Sequence, residues 1–278
     1  MSKFYCILSK LDDDKDTIRQ LENACKKRDI EFVKLGSDQI ATHELPVLEE
    51  ESILYRLGVS ARASLLERLL YRPNLKTFYS TPTSVYEQGS IDSIIRMQKC
   101  GIAMPRTVLY PSDKQDVLED QVRSVGGFPV VFKLGGFMHG EGVEKYDDIE
   151  SLVARVNVAG YKNSMLKEYI DYVSHMRLIV VGEDVVDSVE YQKPDDDFRT
   201  NAHENIEVKV KNCSDEINQL AVSAVHAHDV EFGGVDILID SSGAGFVAEV
   251  NTPCYFARAS NASGIDVAGQ MVDYLSSK

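Results

Sequence analysis

Strand-like and helix-like segments alternate along the N-terminal part of this chain, and this rhythm limits the folds it can adopt. Ile18, Leu21 and Cys25 fall on one face of a predicted helix, which ends at the basic residues 26–28, where positive charge suits the helix dipole. Strands are predicted at 4–8, 30–35, 53–55 and 77–79, and a second, buried helix at 65–70. Such alternation is typical of a small parallel α/β unit, so we predict an α/β fold.

The Ser-Thr-Pro-Thr sequence at 80–83 interrupts the alternation and predicts a domain boundary. We therefore expect an N-terminal α/β domain at 1–82 and a larger domain at 83–278. Hydrophobic residues make up 44% of the 278 residues and charged residues 27%, so both domains have enough apolar residues to form a core.

The larger domain is expected to be rich in strands. A helix around Ile91 is ended by Gly101, and Ser214 is expected to cap another helix. The short connector 182–184 predicts a hairpin between the strands on either side of it. The predicted strands are 130–132, 165–170, 178–181, 185–189, 234–240 and 245–251.

The chain is strongly acidic, with 30 Lys and Arg against 44 Asp and Glu and a formal net charge of −14. An acidic surface repels nucleic acid and anionic membranes, so neither is expected as a partner. No apolar run approaches the roughly 20 residues that a membrane span needs, and the N-terminus lacks the pattern of a signal peptide. The five cysteines are scattered without a C-x-x-C pair, which predicts reduced thiols in a cytoplasmic protein.

The final predicted hairpin carries the sharpest functional pattern. A turn centred between Ser242 and Gly243 would place Asp236 directly opposite the other carboxylate of the hairpin. That carboxylate is Glu249, and the Cβ atoms of Asp236 and Glu249 would lie about 5 Å apart. Asn251 is two residues beyond Glu249 and so lies on the same face of the strand. The two carboxylates repel each other, and a hard divalent cation such as Mg²⁺ would remove the conflict. The alternative is a solvated polar face on an edge hairpin, which the apolar flanking residues disfavour.

A glycine-rich stretch follows the predicted strand at 130–132. The strand leads to Lys133, and the loop 135–142 contains four glycines, which would let backbone N–H groups approach a polyphosphate. The lysine precedes the glycines, which is not the P-loop order. Taken alone, the stretch is better explained as an ordinary glycine turn beside a surface lysine.

Two further polar stretches are ambiguous by themselves. Arg199 and Asn201 lie in an acid-flanked segment, which is either an anion clamp or a mobile polar loop, and the loop is the simpler interpretation. The segment Lys-Glu-Tyr-Ile at 167–170 is typical of an ordinary strand with an exposed ion pair.

Together, these stretches occur in an order that resembles the ATP-grasp ligases, in the RimK-like group typified by the ribosomal protein S6 glutamate ligase. The resemblance runs from residue 53 to the C-terminus. The matching stretches are 101–105, 128–143, 168–170, 198–203, 234–238, 249–251 and 264–269. Each motif alone is modest, but the shared order is specific.

The resemblance implies an ATP-grasp fold, in which ATP lies between two α+β subdomains at 113–170 and 171–278. A Rossmann-like pre-ATP-grasp domain would precede them. The nucleotide-site residues implied are Lys133, Gly140, Gly142, Lys167, Glu168, Tyr169, Ile170, His175, Arg199, Thr200 and Asn201. The metal ligands implied for Mg²⁺ or Mn²⁺ are Asp236, Glu249 and Asn251. Asp171 is an alternative to His175 beside the ribose, and Arg199 would also be catalytic.

The reaction implied joins a carboxylate to an amine through an acyl phosphate, with release of ADP. The expected substrates are an amino acid or other amine and a carboxylate acceptor on a peptide, a protein or a small molecule. One alternative is an ATP-binding module with little turnover that acts through a protein partner, and another is a phosphotransferase without an amine acceptor. A homo-oligomer is compatible with the sequence.

Three positions depart from the family pattern. Ser90 stands where the family carries a phosphate-contacting lysine, which favours the binding-module alternative. Glu-Asn at 204–205 replaces the glycines of a substrate loop, so an acceptor other than the S6 tail is expected. The segment from Glu168 to Arg177 is shorter than in the S6 ligase, so the ribose-binding acid has no clean equivalent: His175 is nearest by spacing, and Asp171 is the other candidate. His175 and His203 are expected to be exposed loop histidines and not catalytic bases.

Overall fold

The computed structural model describes residues 2–13, 15–41, 43–81, 90–135, 141–159, 164–192, 197–200 and 207–278. Over these residues the chain forms three sheets with helices packed against them. Within the same ranges, no helix combines the length and the apolar character needed to cross a membrane.

The N-terminal sheet is parallel, with the strand order β2–β1–β3. Helix α1 buries Ile18, Leu21 and Cys25, as their shared face predicted. The predicted alternation of strands and helices is therefore present. The elements are β1 (Lys3–Leu8), α1 (Asp16–Lys26), β2 (Glu31–Gly36), β3 (Ile53–Arg56) and α2 (Ala61–Leu70).

The prediction of a strand at 77–79 is wrong. Lys76, just before this segment, forms an isolated bridge with Ile53 of β3, and Tyr79 forms another with Val230. It crosses from one sheet to the next, so neither sheet offers it a continuous partner strand. Its apolar character has a different cause, because Phe78 is buried and its ring packs 5.0 Å from that of Phe232.

A four-stranded antiparallel sheet follows, with the order β4–β7–β5–β6. The helices and strands of this part of the chain are α3 (Ser90–Lys99), β4 (Thr107–Leu109), α4 (Gln115–Ser124), β5 (Val130–Leu134), β6 (Val143–Tyr146), α5 (Ile149–Ala159) and β7 (Ser164–Glu168). Phe132 and Leu166 pack with α4 and α5 on one face. Lys133, Met165 and Lys167 alternate onto the opposite face, so this sheet presents two lysines to the rest of the molecule.

The third sheet has five antiparallel strands in the order β10–β9–β8–β11–β12. The helices and strands of this part of the chain are β8 (Tyr172–Val181), β9 (Asp184–Tyr191), β10 (Val208–Val210), α6 (Asp215–His226), β11 (Phe232–Asp240), β12 (Gly245–Asn251), α7 (Ala257–Ser263) and α8 (Val267–Ser277). The hairpin predicted around 182–184 joins β8 to β9. Ser214 caps α6 as predicted, because its hydroxyl accepts a hydrogen bond from the backbone N–H of Ile217.

The N-terminal sheet and the five-stranded sheet share one hydrophobic core. Tyr55 of β3 packs edge-on against Phe232 of β11, and Phe232 packs in the same way against Phe256. Helix α8 lies along α1, where Arg28 and Asp273 form a salt bridge of 2.6 Å. The C-terminal helix therefore supports the N-terminal sheet.

The domain boundaries stay a proposal. A division at residue 82 separates the parallel sheet from the two antiparallel sheets. The four-stranded sheet begins with β4, upstream of the subdomain boundary predicted at 113. A subdomain drawn around this sheet would therefore start earlier than the sequence indicated.

Candidate active site

The three sheets border a cleft of about 660 Å³. Its walls come from the end of β3, from α3, from the lysine face of the four-stranded sheet and from the end of β12. Lys133 and Lys167 line it together with Glu249 and Asn251. The cleft therefore brings residues predicted to bind nucleotide next to residues predicted to bind metal.

The register of the β11–β12 hairpin places Asp236 opposite Glu249, as the sequence predicted. Two departures from the predicted geometry cancel to give this result. The strands close around a turn centred on Ser242, which shifts the pairing by one residue near the turn. A bulge at Ala248 then restores the predicted pairing at the two carboxylates.

Asp236 is almost fully buried beside Arg177 of β8, its partner in the sheet register. The guanidinium donates two hydrogen bonds to the carboxylate, of 2.7 Å to Oδ1 and 2.9 Å to Oδ2. Asn251 Nδ2 donates another to Oδ2 at 3.2 Å. Burial alone would raise the pKa of Asp236, but the charge of Arg177, with a smaller contribution from His175, holds that pKa below its usual value. Asp236 is therefore ionised and fixed in orientation.

Glu249 is half-exposed in the cleft, and its Oε2 accepts a hydrogen bond of 3.2 Å from Lys133 Nζ. Each carboxylate of the hairpin thus has its own cationic partner, Arg177 for Asp236 and Lys133 for Glu249. The repulsion between the carboxylates is therefore already offset without a metal ion. Charge repulsion therefore does not require a metal ion at this site.

The donor set fits a hard divalent cation. Asp236, Glu249 and the amide oxygen of Asn251 are all-oxygen ligands. Asp236 Oδ1 and Glu249 Oε2 each accept one hydrogen bond and so keep a second lone pair for a cation. The described residues hold no cluster of three or more His, Cys, Asp or Glu placed to bind a metal. The amide and oxygens from the substrate or water would therefore complete the coordination, as is usual for Mg²⁺.

Lys167 is buried, and its Nζ donates a hydrogen bond of 3.4 Å to the carbonyl oxygen of Ala248. Burial, together with the charge of Lys133, lowers the pKa of Lys167 to about 7. An anion in the cleft would favour the protonated form, since opposite charge stabilises the ammonium group. The two lysines therefore form a site that is suited to phosphate oxygens.

His175 is buried in β8, so the prediction of an exposed loop histidine is wrong. The chain enters β8 within a few residues of β7, which places His175 inside the five-stranded sheet. Its Nδ1 is hydrogen bonded to Thr200 Oγ1, and its Nε2 lies 3.6 Å from Asp236 Oδ1. The latter distance is longer than a hydrogen bond. A ribose contact by His175 stays a prediction.

Arg199 lies beside the start of β6, the strand that follows the glycine-rich loop in the sequence. Its guanidinium binds the carboxylate of Asp197, with 2.8 Å from Nη2 to Oδ2. Its Nη1 donates to the carbonyl oxygen of Val143 at 3.4 Å, where the chain leaves that loop. Arg199 of the predicted clamp therefore contacts the strand that follows the predicted phosphate loop.

Glu168 is committed to Arg106. The guanidinium lies 2.7 Å from Oε1, the backbone N–H of Arg106 donates to Oε2 at 3.1 Å, and the side-chain hydrogen bond lowers the pKa of Glu168. A ligand at residues 168–170 would therefore meet the backbone and not the carboxylate of Glu168. Tyr169 packs against Phe198, and Ile170 is buried.

Some predicted residues lie outside the described ranges, namely Gly140, Asn201 and His203. Gly142 is described, has a φ of 70°, and its carbonyl accepts a hydrogen bond of 2.9 Å from the N–H of Leu134 across the base of the loop. Ser90 begins α3, and its side chain lies outside the description.

Two arginines at the site were not singled out from the sequence. Arg177 had a usable signal, because a lone charge in the apolar strand at 176–181 requires a buried partner. Arg106 had none, because its partner Glu168 lies far along the chain.

Comparison with known proteins gives a consistent family. Residues 89–275 match the RimK-like ATP-grasp domain. A probable alpha-L-glutamate ligase of Legionella pneumophila (strain Corby) is 34% identical over 240 residues, covering 84% of this chain and 78% of that protein. Another from Methanococcoides burtonii is 32% identical over 194 residues, covering 68% of this chain and 63% of that protein.

Solved structures resemble the whole chain. The ATP-grasp ligase PsnB, complexed with minimal precursor, Mg and ADP, superposes with a TM-score of 0.75 at 15% identity, over 99% of this chain and 97% of that one. D-alanine–D-alanine ligase from Bacillus anthracis superposes with a TM-score of 0.68 at 16% identity, over 99% of this chain and 96% of that one. At these identities the likeness establishes the ATP-grasp fold.

The chain belongs to the RimK-like ATP-grasp family. It is an ADP-forming, ATP-dependent carboxylate–amine ligase. ATP and Mg²⁺ are typical of the family.

Proposed function

We propose that this enzyme joins the amine of an amino acid, with L-glutamate as the first candidate, to a carboxylate of a peptide or protein. The observation that carries the proposal is the pairing of Asp236 with Glu249, because Glu249 lines one cleft together with Lys133 and Lys167. The relatives named as alpha-L-glutamate ligases support L-glutamate as the amine. Unpaired cysteines support a cytoplasmic location, and the described cysteines are all free.

The proposed reaction depends on positioning and on neutralising charge. The acceptor carboxylate attacks the γ-phosphate of ATP, giving an acyl phosphate and ADP. The amine then attacks the acyl carbon, and phosphate leaves. Lys133 and Lys167 would balance the charge of the phosphates. Asp236, Glu249 and Asn251 would hold Mg²⁺, which supplies further charge neutralisation at phosphate oxygens.

Arg199 and the glycine-rich loop would act after phosphoryl transfer. Arg199 carries a planar fork that suits an acyl phosphate or a tetrahedral oxyanion. The glycine-rich loop 135–142 would exclude water, which otherwise hydrolyses the acyl phosphate.

The test of the proposed function is a screen for ADP release. Each amino acid is offered with ATP, Mg²⁺ and tri-L-glutamate, and the products are identified by mass spectrometry. We expect ADP release to require both an amine and a carboxylate, with a product mass that equals their sum less one water. ADP release that is independent of every amine would contradict ligation.

We expect Lys133→Ala to weaken ATP binding about tenfold without unfolding the protein, because one charge-assisted contact is lost. Lys34→Ala is a matched control, since Lys34 is also a strand lysine paired with a glutamate, Glu22 at 3.3 Å, but lies outside the cleft. Calorimetry of both variants measures the affinity. Unchanged affinity in Lys133→Ala would make Lys133 an ordinary surface lysine.

Arg199→Lys is expected to lower kcat on the order of a hundredfold, or about 3 kcal/mol, with a much smaller effect on ATP affinity. Lysine keeps the charge but loses the planar fork, and the interaction matters most for charge that develops after phosphoryl transfer. Arg155→Lys is the control, since Arg155 binds Glu144 at 2.8 Å from helix α5. Product formation and ATP affinity are measured on the same samples. A near-native kcat would place Arg199 in a polar loop without a catalytic role.

A further inference from the structure

Ser93 of α3 and His228, in the connection between α6 and β11, form a hydrogen-bonded pair. His228 Nε2 lies 2.7 Å from Ser93 Oγ, and His228 Nδ1 lies 2.7 Å from the carbonyl oxygen of Ala224. Both side chains line the same cleft as Lys133 and Glu249. The pair therefore borders the space in which ligation is proposed to occur.

The partner of Nδ1 determines the state of the His228 ring. A carbonyl oxygen only accepts, so Nδ1 carries the hydrogen and Nε2 of the neutral ring is an acceptor. The hydroxyl of Ser93 then donates to Nε2. Burial, assisted by the charge of Arg96, lowers the pKa of His228, which keeps the ring neutral near pH 7. The geometry is that of a hydroxyl beside a base.

Among the residues that the structure describes, the charged groups around this pair leave few other bases. Asp92 and Arg96 come from α3, and Arg96 is bound to Asp229 at 2.7 Å. On the neighbouring wall, Glu67 of α2 is buried against Arg56 of β3, with Tyr79 beside them. Carboxylates are weaker bases than imidazole and so compete poorly for the proton of an ammonium ion.

The charged groups on the phosphate side of the cleft also have other roles and partners. Glu249 is bound to Lys133 and is a proposed metal ligand. Lys167 would be protonated beside a phosphate. Yet an amino acid reaches the enzyme as an ammonium ion, which has no lone pair with which to attack an acyl carbon. Some group must remove a proton, and general bases contribute about 10²–10⁴-fold to such steps.

We infer that Ser93 and His228 form a proton relay that deprotonates the amine substrate. The ammonium group gives a proton to Ser93 Oγ while the Ser93 hydroxyl passes its own proton to His228 Nε2, leaving a neutral amine and an imidazolium ring. The nitrogen lone pair then forms the C–N bond as the bond from the acyl carbon to the phosphate oxygen breaks. The second nitrogen proton leaves to phosphate or water, and His228 returns its proton to solvent. The relay rests on the proposed function.

The experiment compares two nucleophiles in the same assay. With ATP, Mg²⁺ and tri-L-glutamate, the enzyme is given either L-glutamate, whose amine is protonated near pH 7, or hydroxylamine, which is neutral there. Hydroxylamine needs no base, so it reports formation and capture of the acyl phosphate alone. A relay is required for the first nucleophile and not for the second.

The informative variant is His228→Asn, because asparagine keeps a donor near Ala224 but cannot accept the proton. We expect amide formation from L-glutamate to fall about a hundredfold, while hydroxamate formation stays within about twofold. Ser93→Ala should behave like His228→Asn, and Ser93→Thr should restore the rate by restoring the hydroxyl. The matched control is His226→Asn, since His226 also bonds a backbone carbonyl, that of Gly182 at 3.0 Å, outside the cleft.

The pH profile gives a second readout that a structural role would not move. Wild-type amide formation should lose activity only when acid protonates His228. In His228→Asn the rate should rise about tenfold per pH unit towards the pKa of the amine itself, so the difference between the two enzymes narrows at high pH.

Failure of the relay and failure of the proposed function look different. A wild-type enzyme that forms neither amide nor hydroxamate contradicts the proposed function and removes the basis of the relay. A wild-type enzyme that forms both, with His228→Asn slowing both equally, shows that the pair only holds α3 against the end of α6 and overturns the relay. A His228→Asn variant with native amide formation overturns it as well.

Discussion

Glu249→Gln is expected to reduce Mg²⁺-dependent ATP turnover on the order of a thousandfold, since the charge stabilisation supplied through a bound metal amounts to several kcal/mol. Glutamine keeps the shape of the side chain but removes the charge that would hold the metal. Glu249 is half-exposed on the edge strand β12, so the fold should be retained. ADP release measured over a range of Mg²⁺ concentrations checks the prediction.

The control for this variant is Glu144→Gln, which removes a carboxylate bound to Arg155 on the four-stranded sheet. It should retain most of the activity. Binding of Mn²⁺, followed by its paramagnetic signal, should weaken in Glu249→Gln and not in the control. Normal turnover by Glu249→Gln would show that the hairpin is not the metal site.

Arg177→Met is expected to destabilise the protein by about 3–5 kcal/mol, the usual cost of removing one partner from a buried ion pair. Asp236 would then be buried with no guanidinium to balance its charge. Adding Asp236→Asn to this variant should recover part of the loss, because the unbalanced charge is removed. Urea unfolding of the single and double variants measures the difference. A loss below about 1 kcal/mol in Arg177→Met would mean that the pair behaves like an exposed one.

The destabilisation caused by Arg177→Met should depend on pH in a defined direction. The folded-state pKa of Asp236 is depressed, so its contribution to stability is present above the unfolded pKa of about 3.9 and is lost as pH falls through the folded pKa. In Arg177→Met, burial would raise that pKa instead. The gap in stability between wild type and variant should therefore narrow as the pH is lowered, and a constant gap would contradict the assignment.

Patterns that are local in sequence predicted the strands and helices that carry the site. Apolar residues at helical spacing predicted the buried face of α1, and a two-stranded hairpin was enough to bring Asp236 opposite Glu249. Even there the success depended on compensation, because the shifted turn and the bulge at Ala248 cancel. Neither feature has a clear sequence signal, and without the bulge the shifted turn would have paired Asp236 with Ala248.

Contacts between distant segments could not be predicted in the same way. Arg177 meets Asp236 only because β8 pairs with β11, and Ser93 meets His228 only because α3 packs near the end of α6. The burial of His175 also depends on tertiary packing, since nothing in the short segment before it indicates that the chain enters a sheet at once. Such contacts follow from the fold and not from spacing.

Transfer of oxygen from the carboxylate to phosphate tests the central claim most directly. Tri-L-glutamate labelled with ¹⁸O in its carboxyl groups is incubated with the enzyme, ATP, Mg²⁺ and L-glutamate, and the released phosphate is analysed by mass spectrometry. Attack by the carboxylate on ATP predicts one ¹⁸O in each phosphate released, together with an amide product that has lost that oxygen. Unlabelled phosphate, with both ¹⁸O atoms retained on the acceptor, would contradict a ligase that acts through an acyl phosphate.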